Sequence, residues 1–383
     1  MIPRVTLPGR KQVAAPQKKQ VTSTDPIYAS LTGLISDYMR SGQKPVFGSQ
    51  GGSRQMVRAA SVSAPALAQT DNCYIYQMTT RDGYTVFLRE WLKPDYGDTP
   101  QDRLFSVTTQ SILMLGGFPF PSMRVFSYQV NDENLSKKYR MITMEIRGFG
   151  DSSKPTTSAD FSAQHLADDI QDAINLLQMH KVTLLAHSTA GTIATRYLQT
   201  YGQTALSGLI LSSALTKMDF SNSAVGASSL DPFFAALLPS LLNMNNDLCD
   251  YCTSNHTLSS GLIFVSPNVD SMYKTQLLAM GMATSPATRQ AFLFPPIAAT
   301  NAILGTITLP TLIIHGRDTC GTNTTCLTKD NVVTIEHAVE NYTLLRNHAR
   351  SLVFENMPGV GHMPQAENPT LYNSYLDTYL SGL

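Results

Sequence analysis

Residues 182–191, Val-Thr-Leu-Leu-Ala-His-Ser-Thr-Ala-Gly, place a serine between an apolar run and a helix start made of small residues. The pattern small-x-Ser-x-small is a version of the nucleophile elbow, a strained strand-to-helix turn that carries a serine. Ala186 and Ala190 stand where glycines are more usual, and Gly191 adds a third small residue. Such a turn leaves Oγ beside helix N-terminal N–H groups, which stabilise negative charge. The segment predicts a nucleophilic Ser188; the alternative is a buried serine without chemistry.

A carboxylate and a histidine follow Ser188 in the order that is usual for a triad whose serine lies on such a strand-to-helix turn. Residues 309–318 predict an apolar strand, a glycine turn and then Asp318. Residues 352–362 predict a strand and a glycine-flanked loop that carries His362. Histidine can accept a serine proton near neutral pH, and a carboxylate fixes its tautomer. The predicted catalytic residues are therefore Ser188, Asp318 and His362.

A glycine pair marks a candidate oxyanion hole. Residues 111–119 predict a strand that ends in Gly-Gly-Phe-Pro. A developing oxyanion needs two N–H donors that converge on it before the reaction. The backbone N–H groups of Phe118 and of Thr189, the residue after the nucleophile, are the predicted donors. The glycine pair alone is a weak signal, and it gains weight because an Arg-Gly-Phe-Gly-Asp-Ser loop follows at 147–152.

Together these segments resemble the α/β-hydrolase fold family over roughly residues 73 to 383. The landmarks in order are Gly-Gly-Phe-Pro, Glu-Ile-Arg-Gly-Phe-Gly-Asp-Ser, Ala-His-Ser-Thr-Ala-Gly, His-Gly-Arg-Asp and Gly-His-Met-Pro-Gln-Ala-Glu-Asn-Pro. The chain departs from the family pattern at Gly116, where a histidine is usual, at Glu145, where an aspartate is usual, and at the two elbow alanines. The resemblance implies a serine hydrolase. Ser188 excludes the epoxide hydrolases and haloalkane dehalogenases, which use an aspartate nucleophile.

The elements that position these residues alternate in type along the chain. A hairpin is predicted at 74–79 and 85–91. Strands are predicted at 111–115, 140–146, 182–187 and 207–213, and helices near 122–136, at 160–178 and at 190–202. Buried strands alternating with helices predict an α/β fold with a mainly parallel central sheet and helices on both faces. The active site of such a sheet lies at the carboxyl ends of its strands.

Three parts are predicted: residues 1–70 as an N-terminal arm with an amphipathic helix and a linker, 71–216 with 308–383 as the hydrolase core, and 217–307 as an inserted, mostly helical cap. The cap is rich in Phe, Leu and Met and has few charges. Most of its apolar residues should pack between helices, and some should line a pocket above the serine. The expected substrate is therefore a small apolar acyl compound.

The 383 residues contain 28 basic and 28 acidic side chains, but their distribution is uneven. Residues 1–60 carry nine Lys or Arg and two acids, so the rest of the chain is acidic and gives no reason to expect nucleic-acid binding. This basic segment could bind a protein partner or mediate self-association. The sequence contains no apolar run of transmembrane length and no secretory signal. These features favour the cytoplasm and leave mitochondrial import open.

The cysteines do not indicate a metal site. Cys249 and Cys252 form a single C-x-x-C without a second pair, which disfavours zinc. Cys320 and Cys326 follow Asp318 closely, and whether either pair forms a disulfide is left open. The chemistry predicted for the triad needs no metal and no organic cofactor.

We therefore expect a serine hydrolase that cleaves a carboxylic ester or related acyl bond through an acyl-enzyme. One alternative is a C–C bond hydrolase with the same triad, which differs only in pocket geometry. The other is a binding or structural protein built on the hydrolase fold, which the basic arm and the extra helix mildly favour.

Overall fold

The computed structural model describes residues 68–69, 73–92, 104–217, 263–264, 266, 268–293, 301–317 and 330–383. Most of the predicted N-terminal part, all four cysteines of the two pairs above, and Asp318 lie outside the described residues. Ala68–Gln69, predicted to belong to the linker, is instead a two-residue strand.

A nine-stranded sheet organises the described part of the chain. Its strands are β1 (Ala68–Gln69), β2 (Cys73–Thr79), β3 (Thr85–Trp91), β4 (Gln110–Leu115), β5 (Arg140–Met144), β6 (His180–His187), β7 (Leu206–Ser212), β8 (Thr311–Arg317) and β9 (Leu352–Pro358). The spatial order is β1-β2-β3-β5-β4-β6-β7-β8-β9. The strands from β5 to β9 in this order are parallel, and β1, β2 and β3 pair antiparallel at one edge. The predicted hairpin and mainly parallel sheet are confirmed.

Helices cover this sheet. They are α1 (Ser122–Val125), α2 (Ser127–Val130), α3 (Glu133–Lys138), α4 (Ala163–Leu176), α5 (Ala190–Tyr201), α6 (Ser271–Met282), α7 (Pro286–Leu293), α8 (Ile335–Leu345), α9 (Pro364–Glu367) and α10 (Pro369–Ser381). The single helix predicted near 122–136 is three short helices. The backbone leaves the helical region at Phe126 and Asn131, and the Asp132 carboxylate then caps α3 by accepting from the N–H groups of Asn134 and Leu135.

The central strands are apolar on both faces, and successive side chains enter different cores. Leu113, Leu184 and Leu209 belong to one buried cluster, whereas their neighbours Ile112, Leu185 and Ile210 belong to the other. Because a strand points alternate side chains to opposite faces, two cores require packing on both sides. The predicted two-sided architecture follows from this pattern.

Gly316 does not form the predicted turn. It lies inside β8, paired with Met357 of β9. A Cβ at this position would overlap the carbonyl oxygens of Val360 and Gly361, so only glycine lets the loop after β9 approach β8 so closely. This close packing fixes the loop that carries His362.

Helices α6 and α7 fall within the predicted cap, between β7 and β8. Lys217, which precedes this region, contacts both oxygens of Glu340 on α8 at 2.8 and 2.7 Å. Asn301, which follows it, donates from Nδ2 to Oε1 of the same carboxylate at 3.2 Å. We call these three residues the Glu340 clamp. Within the described residues, every helix is too short or too polar to cross a membrane.

Candidate active site

Ser188 lies at the turn between β6 and α5, with a backbone φ of +55°. This left-handed conformation is unfavourable for a residue with a side chain and needs support from its surroundings. The Ser188 N–H donates to Ser212 O at 3.2 Å, and its carbonyl accepts from Leu215 N at 2.8 Å and Gly191 N at 3.0 Å. A Cβ on Gly191 would lie 2.7 Å from Leu215 O, which explains the small residue there. The segment after β7 therefore holds the elbow in place.

His362 joins Ser188 to a buried carboxylate. Its Nε2 lies 2.9 Å from Ser188 Oγ, and its Nδ1 lies 3.1 Å from both carboxylate oxygens of Asp330. Ser188, Asp330 and His362 are 5%, 3% and 4% exposed, so solvent hardly screens these contacts. The arrangement lets the imidazole accept a proton from the serine while the carboxylate holds its other nitrogen.

The carboxylate that contacts His362 Nδ1 in the structure is Asp330, which is not among the residues predicted from the sequence. Asp318, the predicted acid, lies outside the described residues. A carboxylate directly at the end of a strand is the pattern that predicts Asp318, and this pattern does not indicate Asp330, which comes 13 positions after Arg317. Asp-Asn followed by two valines is the signal that could have found it, because an aspartate side chain commonly accepts from the backbone N–H two residues on, as Asp330 does from Val332.

The environment of Asp330 favours its ionised form. Its Oδ1 accepts from the N–H groups of Val332 and Val333, each at 2.9 Å. Burial alone would raise the pKa of Asp330. The electrostatic interactions with His362 and His315, with the hydrogen bonds from His362 and Val333, outweigh burial and hold its pKa well below the usual range.

A second histidine supports the loop of His362. His187, the residue before the nucleophile, is buried, and its Nε2 lies 2.9 Å from the His362 carbonyl oxygen. Because a carbonyl only accepts, this nitrogen carries the proton. Burial and the neighbouring His362 lower the pKa of His187 to about 3. His187 is therefore a neutral donor that connects the turn at Ser188 to the loop that carries His362.

The predicted oxyanion residues meet beside Ser188. A Cβ on Gly117 would overlap Ser188 Cβ and lie 2.9 Å from its Oγ. Only glycine therefore lets the backbone at position 117 lie this close to Ser188. The Phe118 N–H does not point to an open position, because it donates to the side-chain oxygen Oγ1 of Thr189 at 2.8 Å. The Thr189 N–H has no hydrogen-bond partner among the described residues.

Two polar side chains, those of Ser122 and Glu145, hold the turn around Gly117 in place. The Gly116 N–H donates to Ser122 Oγ at 2.8 Å, and that hydroxyl donates to Met144 O at 2.6 Å. Glu145, where an aspartate is more usual, accepts from the N–H groups of Ser122 and Met123 at 2.7 and 3.0 Å. These contacts hold residues 116–123 against the end of β5.

Aromatic rings form one wall beside this loop. Phe118 lies 5.8 Å from Phe149 and 5.9 Å from Phe292, measured between ring centroids, and Phe149 lies 4.7 Å from Phe292. Phe292 belongs to α7, so the predicted cap region contributes to this wall. The surroundings of the Phe118 side chain are therefore apolar.

Comparisons with known proteins concern the family and the fold of this chain. The family model described as alpha/beta hydrolase fold matches residues 110–369. The AB hydrolase superfamily protein YisY of Bacillus subtilis (strain 168) is 35% identical over 104 residues, which cover 27% of this chain and 37% of that protein. Epoxide hydrolase 2 of Caenorhabditis elegans is 29% identical over 85 residues, which cover 22% of this chain and 23% of that protein. The matches thus span well under half the length of these relatives.

Solved structures match over more of the chain. An esterase from Rhodococcus sp. ECU1013 superimposes with a TM-score of 0.65 and 20% identity, covering 81% of this chain and 99% of that one. An esterase from Exiguobacterium antarcticum gives a TM-score of 0.61 and 22% identity, covering 80% of this chain and 98% of that one. At these identities the likeness concerns the fold.

Proposed function

The chain belongs to the α/β-hydrolase fold family, and from that premise we propose that it is a serine hydrolase. Its substrate is a carboxylic ester, or a related acyl compound, that is small and largely apolar. The observation that carries the proposal is His362, whose two ring nitrogens contact Ser188 Oγ and the Asp330 carboxylate.

In the first half of the reaction Ser188 Oγ attacks the carbonyl carbon of the substrate. His362 takes the hydroxyl proton at Nε2, and Asp330 stabilises the imidazolium that forms. The C–O bond to the leaving group then breaks, and His362 gives its proton to the departing alkoxide. The products are an alcohol and an acyl group bound to Ser188.

In the second half a water molecule attacks the acyl-enzyme. His362 accepts a proton from the water, and the tetrahedral intermediate collapses with return of that proton to Ser188 Oγ. The carboxylic acid leaves and the enzyme regains its starting state. His187 remains neutral throughout and keeps the base loop in register through its hydrogen bond to the His362 carbonyl.

The preference for an apolar substrate rests on the aromatic wall. Phe118 adjoins the nucleophile, and Phe149 and Phe292 pack against it. A charged acyl chain at this position would lose its hydration without gaining a partner. Neutral p-nitrophenyl butyrate should therefore have a higher kcat/KM than the p-nitrophenyl monoester of succinate, which has a similar length and a negative charge.

A fluorophosphonate probe tests the mechanism directly. Intact mass spectrometry of wild type, Ser188→Ala and His362→Ala should show one adduct on wild type and none on either variant. Circular dichroism of all three proteins controls for folding. A folded wild type without an adduct, or Ser188→Ala with full esterase activity, would refute the proposal.

A further inference from the structure

The Thr189 hydroxyl does not contribute to its own helix. Thr189 is the N-cap residue of α5, yet its side chain makes no capping hydrogen bond, and its backbone at φ −59° and ψ −20° is already helical. The hydroxyl oxygen instead accepts the Phe118 N–H at 2.8 Å. A hydroxyl that accepts a hydrogen bond still has its own proton to donate. Among the described residues, no acceptor takes that proton.

Because the Phe118 N–H already donates to Thr189 Oγ1, it changes how an oxyanion could be bound. An oxyanion that accepts from the Thr189 N–H would ordinarily take a second hydrogen bond from the Phe118 N–H. Here that donor is already engaged. The backbone nitrogen and Oγ1 of one threonine are joined through two carbons and lie about 3–4 Å apart in any staggered rotamer. An oxygen bound to the Thr189 N–H is therefore within reach of the hydroxyl of the same residue.

We propose that the Thr189 side chain is a catalytic donor that binds the oxyanion through its hydroxyl proton. This inference rests on the acyl-transfer function proposed above. The Phe118 N–H acts through the hydroxyl, because a hydroxyl that accepts a hydrogen bond becomes a stronger donor. The oxyanion then receives one hydrogen bond from the Thr189 N–H and one from the Thr189 hydroxyl. No covalent bond of Thr189 forms or breaks, and its proton stays on Oγ1.

The competing explanation is that the hydroxyl only covers the Phe118 N–H until the substrate displaces it. In that case the substrate must break the contact between Phe118 and Thr189, and its removal would free a donor and raise activity. The two explanations therefore predict opposite signs for loss of the hydroxyl.

The test compares Thr189→Val, which keeps the shape and removes the hydroxyl, with Thr189→Ser, which keeps the hydroxyl. The substrate is p-nitrophenyl butyrate, and kcat and KM are measured separately. Thr189→Val should lower kcat by about 100-fold with little change in KM, because the donor acts on the transition state. Thr189→Ser should stay within about fivefold of wild type.

Thr195→Val is the matched control for loss of a buried threonine hydroxyl. Its Oγ1 donates to the carbonyl oxygens of Thr192 and Thr216, away from the nucleophile. It should keep wild-type kcat, so that any loss in Thr189→Val is separated from a general effect on α5. Thermal unfolding of all variants records their stability.

Each outcome decides the question. If wild type hydrolyses the ester and reacts with the fluorophosphonate at Ser188, a fall of less than tenfold in Thr189→Val, or any rise, overturns the role of the hydroxyl alone. If folded wild type neither turns over nor reacts, the proposed function fails and the inference fails with it. A loss in Thr189→Val that Thr189→Ser does not share supports it.

Discussion

Replacement of Asp330 by asparagine is the sharpest test of the candidate site, because the structure predicts how the amide will sit. Oδ1 of Asp330 accepts from the N–H groups of Val332 and Val333, so the asparagine oxygen should remain at that position. The amide nitrogen then takes the place of Oδ2, which is 3.1 Å from His362 Nδ1. An amide nitrogen only donates, so it favours the tautomer in which Nδ1 is an acceptor, in competition with the oxygen kept at Oδ1, which is also 3.1 Å from Nδ1. In that tautomer the ring proton is on Nε2, which can then no longer accept from Ser188.

The size of the effect follows from this change of tautomer. An aspartate-to-asparagine change in a serine protease triad lowers kcat by roughly 10⁴ through the wrong tautomer, which corresponds to about 5.5 kcal/mol at the transition state. We expect Asp330→Asn to lower kcat on p-nitrophenyl butyrate by about 10³- to 10⁴-fold, with a fluorophosphonate labelling rate that falls in parallel. Circular dichroism should report a folded protein, because both backbone contacts persist.

Asp318→Asn is the matched control, since it makes the same chemical change at the carboxylate that the sequence alone favoured. We expect its kcat to stay within about threefold of wild type, because Asp330 already holds His362 Nδ1. A large loss in Asp318→Asn together with normal activity in Asp330→Asn would show that the acid has been assigned to the wrong residue.

Three other changes test separate features. Folded His187 has a pKa of about 3 against an ordinary value of 6.5, so only the unfolded chain takes up its proton as pH falls from 6.5 to 3. The free energy of unfolding, measured in urea, should therefore fall less over this range for His187→Gln than for wild type. The difference should be about 1.4 kcal/mol per pH unit. Gly117→Ala should lower kcat at least about 100-fold, because its methyl group would displace Ser188. Arg140→Met should reduce the free energy of unfolding by about 3–5 kcal/mol, because it leaves the buried Glu90 carboxylate without its 2.8 Å ion pair.

Controls and opposite outcomes distinguish these effects from general damage. Gly305→Ala adds a methyl group where no atom lies within 4 Å and should keep its kcat. Lys138→Met breaks an exposed ion pair with Asp377 and should leave the unfolding midpoint unchanged. An unchanged pH slope in His187→Gln, full activity in Gly117→Ala, or wild-type stability in Arg140→Met would each contradict the corresponding argument.

The strands and the elbow could be predicted from sequence because their signals are local. An apolar run of the right length forms a buried strand, and a serine between small residues indicates the tight turn after it. Strands β4 to β7 and helices α4 and α5 lie within a few residues of their predicted limits. The positions of Ser188 and His362 relative to these elements followed from the same local patterns.

The acid could not be predicted in the same way, because its position depends on the length of a loop rather than on a local pattern. The carboxylate needs only to reach His362 Nδ1, and Asp330 does so from the far end of a long connection after β8. The sequence pattern also predicts a role only for the Thr189 backbone N–H and not for its hydroxyl. Whether a side-chain oxygen meets a distant N–H is decided by tertiary packing across 71 positions of sequence.

In the Glu340 clamp, Lys217 and Asn301, the two residues that border 218–300, contact the same carboxylate. The intervening segment therefore leaves and rejoins the hydrolase core at one place, and the distance between its ends is set by the core. Lengthening a flexible connection between fixed ends adds little free energy, roughly 0.6 kcal/mol for each doubling. Segments of different length could thus be accommodated at this junction, provided that they keep the hydrogen bond from Ser266 N to Glu367, the carboxylate that also accepts from the N–H groups of Gly361 and Met363 beside His362. Substrate preference and catalytic machinery can then diverge independently during evolution, and a designer could graft a new segment there.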